Sequence, residues 1–349
     1  MGSKYRIAVA GCGGMANVWM DYVRQRPDAE IAALVDIRLE AAEAMRVKHG
    51  LHCPVFTGLR EALEQTEANL VFDITIPASH FEIAAVALRH GCHVFAEKPL
   101  AETMAQCDEL ISLAEQMNRS HAVMQNRRFD PRLRALKKMI TEGTIGRPGL
   151  VCADFFLAPH FGGFREVMDS PLLLDMAIHT FDQARCILGA DPVTVYCEEF
   201  NPPGSWYRGN AAAVCTFTMS DGSIFSYRGS WCAEGAPTSW QASWRITGEK
   251  GTAIWDGNDM PYAEVVSPEE QAGGQFMNHH VRKDGDVENG FQLPETFHHG
   301  CLDEMFQALE EGRPAETDSR DNRLSMAMVL GALESAKSGR RVAIEELIS

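Results

Sequence analysis

Apolar and polar positions change period repeatedly along the first third of the chain. Arg6–Ala10 is a short apolar run suited to a buried strand, and Met15–Gln25 repeats its apolar residues at helical spacing. Ile31–Val35 returns to a short apolar run that ends at Asp36, and Leu39–Lys48 returns to helical spacing. Leu70–Thr75, His93–Ala96 and His121–Met124 read as further strands. Ser79–Arg89, stopped by Gly91, and Thr103–Gln116, with Thr103 as its cap, read as helices. Strands separated by helices of this length need right-handed crossovers, so they form a parallel sheet with ligands at its carboxyl edge.

After Asn126 the period changes. Pro131–Thr141 and Leu172–Leu188 have helical spacing. The runs Leu150–Leu157, Val193–Phe200, Ala211–Met219, Ser223–Trp231, Trp240–Thr247 and Thr252–Trp255 alternate and favour strands. Ser220-Asp221-Gly222 reads as a hairpin turn of type I′, and Gly248-Glu249-Lys250-Gly251 as a second reversal, which together imply an antiparallel sheet. Asn258–Pro294 is polar and reads as a long loop, followed by helices over Thr296–Glu311 and Asp318–Lys337. The expected fold is therefore α/β: a parallel nucleotide-binding sheet over residues 1–124, then an α+β domain over 125–349 with a large, mostly antiparallel open sheet.

The turn between the first strand and helix is Gly11-Cys12-Gly13-Gly14-Met15-Ala16, of the form G-x-G-G-x-A. Gly11 permits a sharp turn, Gly13 lets backbone approach a pyrophosphate, and Ala16 is small enough for close helix–strand packing. The following helix offers unpaired N–H groups and a positive dipole end to phosphates. A glycine pattern alone is weak; flanked by strand and helix, with Asp36 ending the next strand, it marks a dinucleotide-binding domain of the Rossmann type. Asp36 accepts from ribose hydroxyls and repels a 2′-phosphate, which favours NAD. Arg38 leaves NADP open as the less favoured cofactor, since a guanidinium can pair with that phosphate. Gly11, Cys12, Gly13, Gly14, Met15, Asp36, Arg38, Pro77, His80, Glu97 and Lys98 are the candidate cofactor-binding residues.

With a net charge of −16, the chain is a poor partner for nucleic acid. The ten cysteines include no C-x-x-C pair, which argues against a zinc ribbon and places the thiols in a reducing cytoplasm. No secretory-leader pattern and no apolar run of membrane-spanning length is visible. His279-His280 and His298-His299 have no carboxylate or cysteine at ligand spacing, so no metal site is expected.

Two features carry chemistry. Glu97-Lys98-Pro99 follows a strand and so falls at the carboxyl edge of the sheet, where Lys98 can bond a substrate hydroxyl; proline restricts Lys98 and makes a cis bond possible. Asp175 and His179, four residues apart on an apolar helix, share one face. An imidazole there can take the proton from an alcohol whose carbon gives up hydride. Each feature also has a plain structural reading, as a surface lysine and an ordinary helical Asp–His pair.

Together, in this order and spacing, the motifs resemble the Gfo/Idh/MocA family of sugar and cyclitol oxidoreductases. Pro77-Ala78-Ser79-His80, Asn126-Arg127-Arg128-Phe129-Asp130-Pro131 and the stretch Phe306–Val342 also resemble family segments, so the likeness runs nearly end to end. The resemblance implies that Lys98, Asp175 and His179 are the catalytic group of an NAD(P)-dependent dehydrogenase acting on a sugar or polyol, assembled as a homodimer or homotetramer. Asn126, Arg128, Phe156 and His160 are the candidate substrate contacts; Arg127 and Arg128 serve equally as a domain-crossing salt-bridge pair. The tryptophans Trp206, Trp231, Trp240 and Trp244 suit a sheet core, an interface or a sugar platform. Asp169-Ser170-Pro171 stands where many members carry glycines, so the entrance to the site differs. Two other functions stay open: an NAD-dependent glycoside hydrolase of the same fold, and a non-enzymatic cofactor-sensing regulator.

Overall fold

A computed structural model describes residues 3–267, 278–287 and 297–348. Along the chain run β1 (Tyr5–Ala10), α1 (Ala16–Val23), β2 (Ala29–Val35), α2 (Leu39–Lys48), β3 (Val55–Phe56), α3 (Leu59–Gln65), β4 (Leu70–Asp73), α4 (Pro77–Arg89), β5 (His93–Ala96), α5 (Met104–Gln116) and β6 (His121–Val123). A 3₁₀ turn, Asn126–Phe129, leads to α6 (Pro131–Thr141) and β7 (Pro148–Phe156). A second 3₁₀ turn, Gly163–Val167, precedes a π-helical segment, Leu172–Ala177, that runs into α7 (Ile178–Leu188). Then come β8 (Pro192–Phe200), β9 (Ala212–Met219), β10 (Ile224–Ser230), β11 (Ser243–Gly248), β12 (Gly251–Trp255), β13 (Tyr262–Val266), β14 (His280–Asp284), α8 (His298–Glu311), α9 (Ser319–Ser338), β15 (Val342–Ala343) and α10 (Glu345–Ile348).

The chain divides into two compact units, Met1–Asn126 with Glu295–Met326, and Arg127–Pro294 with Ala327–Ser349. In the first unit the strands lie in the order β3-β2-β1-β4-β5-β6 and all pair in parallel. The order reverses between β1 and β4, and the crevice beyond their carboxyl ends is where such sheets take ligands. Apolar side chains on β1, β4 and β5 are almost fully buried, as expected of strands covered on both faces. Thr103 caps α5 as expected, its hydroxyl accepting from the Gln106 N–H at 3.2 Å.

A split at 124/125 put everything downstream into the second domain; the packing of α8 differs. Phe306 on α8 meets Tyr5 at 5.0 Å and Phe95 at 5.2 Å between ring centroids, so α8 covers a face of the parallel sheet. The strip 315–318 also adjoins β6, where the Val123 N–H donates to the Thr317 carbonyl at 2.9 Å.

In the second unit the described strands run β14-β13-β12-β11-β7-β10-β9-β8-β15, antiparallel except for the parallel neighbours β7 and β10. On one sheet face Phe181 of α7 packs edge-on against Phe217 at 4.9 Å and Tyr227 at 5.2 Å. On the other face Leu150, Tyr196, Phe200 and Val214 are each about two-fifths exposed or more.

Two expectations need correction. The loop expected over Asn258–Pro294 contains β13 and β14 among its described residues. β13 alternates, with Ala263 and Val265 buried around exposed Glu264, but the run is short. β14 is exposed throughout and is held by main-chain pairing to β13 and by Arg282 stacked on Tyr262 at 3.9 Å, which hydrophobic patterning cannot reveal. The Ser220–Gly222 hairpin exists, but Gly222 is its one residue at positive φ, +84°, and its N–H donates to the Met219 carbonyl at 3.0 Å. That is a three-residue loop closed by a left-handed glycine, not a type I′ turn.

Candidate active site

The first unit builds a nucleotide cradle from backbone. Gly11 has φ +92°, and a Cβ there would lie 2.4 Å from the Ile74 carbonyl oxygen, so only glycine permits the turn beside β4. A Cβ at Gly13 or Gly14 would meet nothing within 4 Å, which leaves the space over the start of α1 open for a pyrophosphate. Met15, at the head of α1, is 42% exposed. The Asp36 carboxylate accepts the Cys12 N–H on one oxygen and the Arg38 N–H on the other, both at 2.9 Å. These two bonds fix a negative charge at the end of β2. The Arg38 side chain is largely exposed, its Nε 4.0 Å from Asp36. The Cys12 thiol points inward to the Val35 carbonyl, and burial, with the nearby charge of Asp36, pushes its pKa up to about 12. Beside Asp36 lies a cavity of about 590 Å³, lined also by Ile37, Thr75, Ile76 and Ser79. These four were missed: two exposed isoleucines look like loop residues until the sheet edge gathers them.

Lys98 sits just beyond β5, and the Lys98–Pro99 bond is cis. Glu97 anchors this loop by accepting from the Trp19 indole N–H at 3.0 Å, an anchor that no local pattern announces. Pro77 opens α4 at its first turn, where a missing N–H costs nothing. His80 is buried under that turn, its Nδ1 2.9 Å from Asp73, which also accepts the Thr75 hydroxyl at 2.6 Å. Burial alone would lower the His80 pKa, but the charge and hydrogen bond of Asp73 outweigh it and hold the imidazole above its ordinary value. At 1% exposure, His80 supports the cradle from beneath.

In the second unit, Asp175 lies in the π-helical segment and His179 in the first turn of α7. Each is only 8% exposed. A π-helical stretch inside an α-helix is rare and concentrates at functional positions. The Asp175 carboxylate accepts from Arg165 Nε at 2.6 Å. Arg165 comes from the 3₁₀ turn ten positions upstream, and its pairing with Asp175 is one that sequence spacing does not signal.

The four expected substrate contacts have varied placements. Asn126 belongs to the first unit, its Nδ2 3.3 Å from His298 Nδ1. The buried Arg128 spends its guanidinium on Asp182, with bonds of 2.7 and 2.6 Å, and so serves the fold. Its neighbour Arg127 is equally buried and stacks 5.8 Å from Phe155, with Nη1 lacking a hydrogen-bond partner among the described residues. Burial lowers the Arg127 pKa to about 9. By strand alternation Phe156 falls with Asp154 on the sheet face opposite Phe155 and Tyr227, away from α7. His160 stacks on Trp206 at 3.8 Å and pairs with Glu234 at 2.9 Å at the surface. Trp231 and Trp244 are core, whereas Trp240 is 44% exposed.

The fold agrees with comparison to known proteins. Residues 5–125 match the oxidoreductase family with an NAD-binding Rossmann fold, and residues 133–254 match the GFO/IDH/MocA C-terminal domain. The chain belongs to the Gfo/Idh/MocA family. Among its relatives, a myo-inositol 2-dehydrogenase of Thermotoga maritima is 24% identical over 98% of this chain and 99% of its own. A D-glucoside 3-dehydrogenase of Escherichia coli is 30% identical over 54% of this chain and 55% of its own. An Agrobacterium radiobacter oxidoreductase, solved with NAD+, L-tartaric acid and magnesium, shares the fold at TM-score 0.85 and 20% identity, covering 99% of both chains. Like other Gfo/Idh/MocA proteins, this one is thus an oxidoreductase with an NAD-binding Rossmann domain, followed by a mostly antiparallel sheet. Among the described residues, no helix is long and apolar enough to cross a membrane.

Proposed function

We propose that this protein exchanges hydride between NAD and a hydroxyl-bearing carbon of a sugar, glycoside or cyclitol, with Lys98, Asp175 and His179 as its catalytic group. The observation that carries the proposal is the buried Asp175–His179 pair, four residues apart at a π-to-α junction, in a chain whose other unit carries Lys98 two residues beyond the end of β5. His179 takes the hydroxyl proton, and Lys98 donates a hydrogen bond to the same oxygen as its charge grows. Asp175, held by Arg165, orients these two groups. The nicotinamide, when bound, accepts the hydride. In the reverse direction His179 returns the proton to the carbonyl oxygen.

NAD is favoured over NADP because the Asp36 carboxylate is fixed by two backbone N–H groups where the adenine ribose would hydrogen-bond, and a 2′-phosphate would meet its charge. The glucoside and inositol dehydrogenases among its relatives support a polyhydroxylated substrate. Arg127, buried with a spare donor, is a better candidate for a substrate oxygen than Arg128. The open sheet face bearing Tyr196, Phe200 and Val214 suits a contact with a second copy, giving a dimer or tetramer. A cytoplasmic setting accords with ten free cysteines.

A panel of hexoses, glycosides and inositols, assayed with NAD and with NADP by nicotinamide absorbance, tests this reading. Lys98→Ala and His179→Ala should each lower turnover by roughly 10²–10⁴-fold with NAD affinity nearly intact. Wild-type turnover in either variant, or release of aglycone without net NADH, would remove the dehydrogenase assignment.

A further inference from the structure

The segment joining β7 to the π-helical stretch carries a surface that hydride transfer alone does not require. Phe161 and Phe164 are 57% and 50% exposed, and Val167 is 58% exposed. Gly162 and Gly163 lie between the two phenylalanines at φ +67° and +72°, backbone conformations that favour glycine. Both rings flank one guanidinium: Arg165 Cζ is 5.4 Å from the Phe161 centroid and 4.6 Å from that of Phe164. The same Arg165 donates to Asp175 at 2.6 Å. On its other side Phe161 lies 6.3 Å from Trp240 and 6.4 Å from the buried Trp231. Three part-exposed aromatic rings therefore begin one guanidinium away from the candidate catalytic carboxylate.

Large apolar side chains left half in water beside a reaction site point to a ligand that covers them. Phe161, Phe164 and Val167 offer a ring hydroxyl no hydrogen-bond partner, and of the exposed polar side chains in the same stretch His160 pairs with Glu234 at 2.9 Å and Asp169 with Arg208 at 3.2 Å. Flat aromatic groups gain from stacked and edge-on contacts with aromatic rings. We propose that Phe161, Phe164 and Trp240 form an aglycone subsite, and that the substrate is a glycoside carrying a planar aromatic aglycone. This rests on the dehydrogenase reading above, with the sugar at the catalytic group and its aglycone on the aromatic wall.

The test compares methyl, phenyl and glucosyl glycosides of the same hexose. Steady-state rates with NAD give kcat/KM, and tryptophan fluorescence titration in the presence of NAD gives affinity. The phenyl glycoside should exceed the methyl glycoside about tenfold in both measurements, and the disaccharide should not. In Phe161→Ala and Trp240→Ala, and more mildly in Phe161→Leu, the phenyl-to-methyl ratio should fall toward one. A wild-type ratio near one, a disaccharide that gains as much as the phenyl glycoside, or an unchanged ratio in all variants overturns the subsite. If no glycoside is oxidised, the dehydrogenase reading fails by itself. The titration still decides here: phenyl-selective binding lost in the variants supports the subsite, and equal binding refutes it.

Discussion

The nucleotide edge of the first unit and the Arg165–His179 stretch of the second are built by different means. At the first, main chain does most of the holding: Gly11 turns against Ile74, two N–H groups pin Asp36, and buried pairs such as Asp73–His80 brace the turn from below. At the second, a side-chain ion pair, Arg165 on Asp175, joins an exposed aromatic turn to a π-helical segment. A backbone cradle suits a cofactor that does not change. Side chains on a turn can be replaced without refolding a sheet, which suits a substrate that does. If this contrast is right, substitutions in the first unit should damage cofactor binding or stability, and those in the second should alter substrate kinetics.

The largest effect is expected at the turn itself. Gly11→Val places a β-branched residue at φ +92° and drives its Cβ into the Ile74 carbonyl, 2.4 Å away. NAD affinity, measured by calorimetry, should fall by about a thousandfold or more, given strain of about 3 kcal/mol plus the overlap. Retained affinity would mean that the cradle adapts and that backbone is not what holds the cofactor.

Buried histidines of the first unit should set its response to acid. Burial lowers the His121 pKa to about 4, and neither ring nitrogen has a hydrogen-bond partner among the described residues. The unfolded chain takes up this proton near pH 6.5, whereas the native state resists it down to about 4. Stability is therefore lost as pH falls through that window, by about 3 kcal/mol for this group. His121→Gln should lose correspondingly less between pH 6.5 and 4 in urea titrations. His80 acts in the opposite direction. Its native pKa is raised, so its contribution is complete below the unfolded value and fades as pH climbs through the native one. Equal acid slopes in wild type and His121→Gln would show that the imidazole reaches water.

These groups also show what patterning along the chain can carry. The glycine turn, Asp36, Lys98 and the Asp175–His179 spacing were legible because each is local: one turn, one strand end, one helical repeat. Trp19 on Glu97, Asp73 under His80 and Arg165 on Asp175 were not, since each joins residues that only the tertiary fold brings together. Arg127 and Arg128 show the finest limit. Adjacent residues in a 3₁₀ turn point different ways, and only the packing reveals that Asp182 claims the second. β14, polar and exposed throughout, lacks the hydrophobic alternation that betrays a strand.

A smaller effect is expected at Asp36. Asp36→Ala removes the carboxylate that Cys12 and Arg38 hold in place, and with it the repulsion of a 2′-phosphate. NAD should weaken about tenfold, by roughly the worth of one charge-assisted hydrogen bond, while NADP gains as Arg38 becomes available. A wild type that already prefers NADP in a direct titration would reverse this assignment.

The smallest expected effect lies in the second unit and tests the contrast most directly. Arg165→Lys keeps a positive charge near Asp175 but loses the planar Nε donor, now at 2.6 Å, and the flat face between Phe161 and Phe164. The carboxylate is then oriented less tightly, so kcat should fall by about threefold to tenfold, the cost of roughly one hydrogen bond. NAD affinity should not move, because Asp36, Gly11 and the cavity beside them belong wholly to the first unit. Arg165→Met, which lacks the charge as well, should fall further in kcat and still leave NAD affinity alone. A parallel loss of NAD binding in either variant would mean that the two regions are not separable and that the second unit also shapes the cofactor cradle.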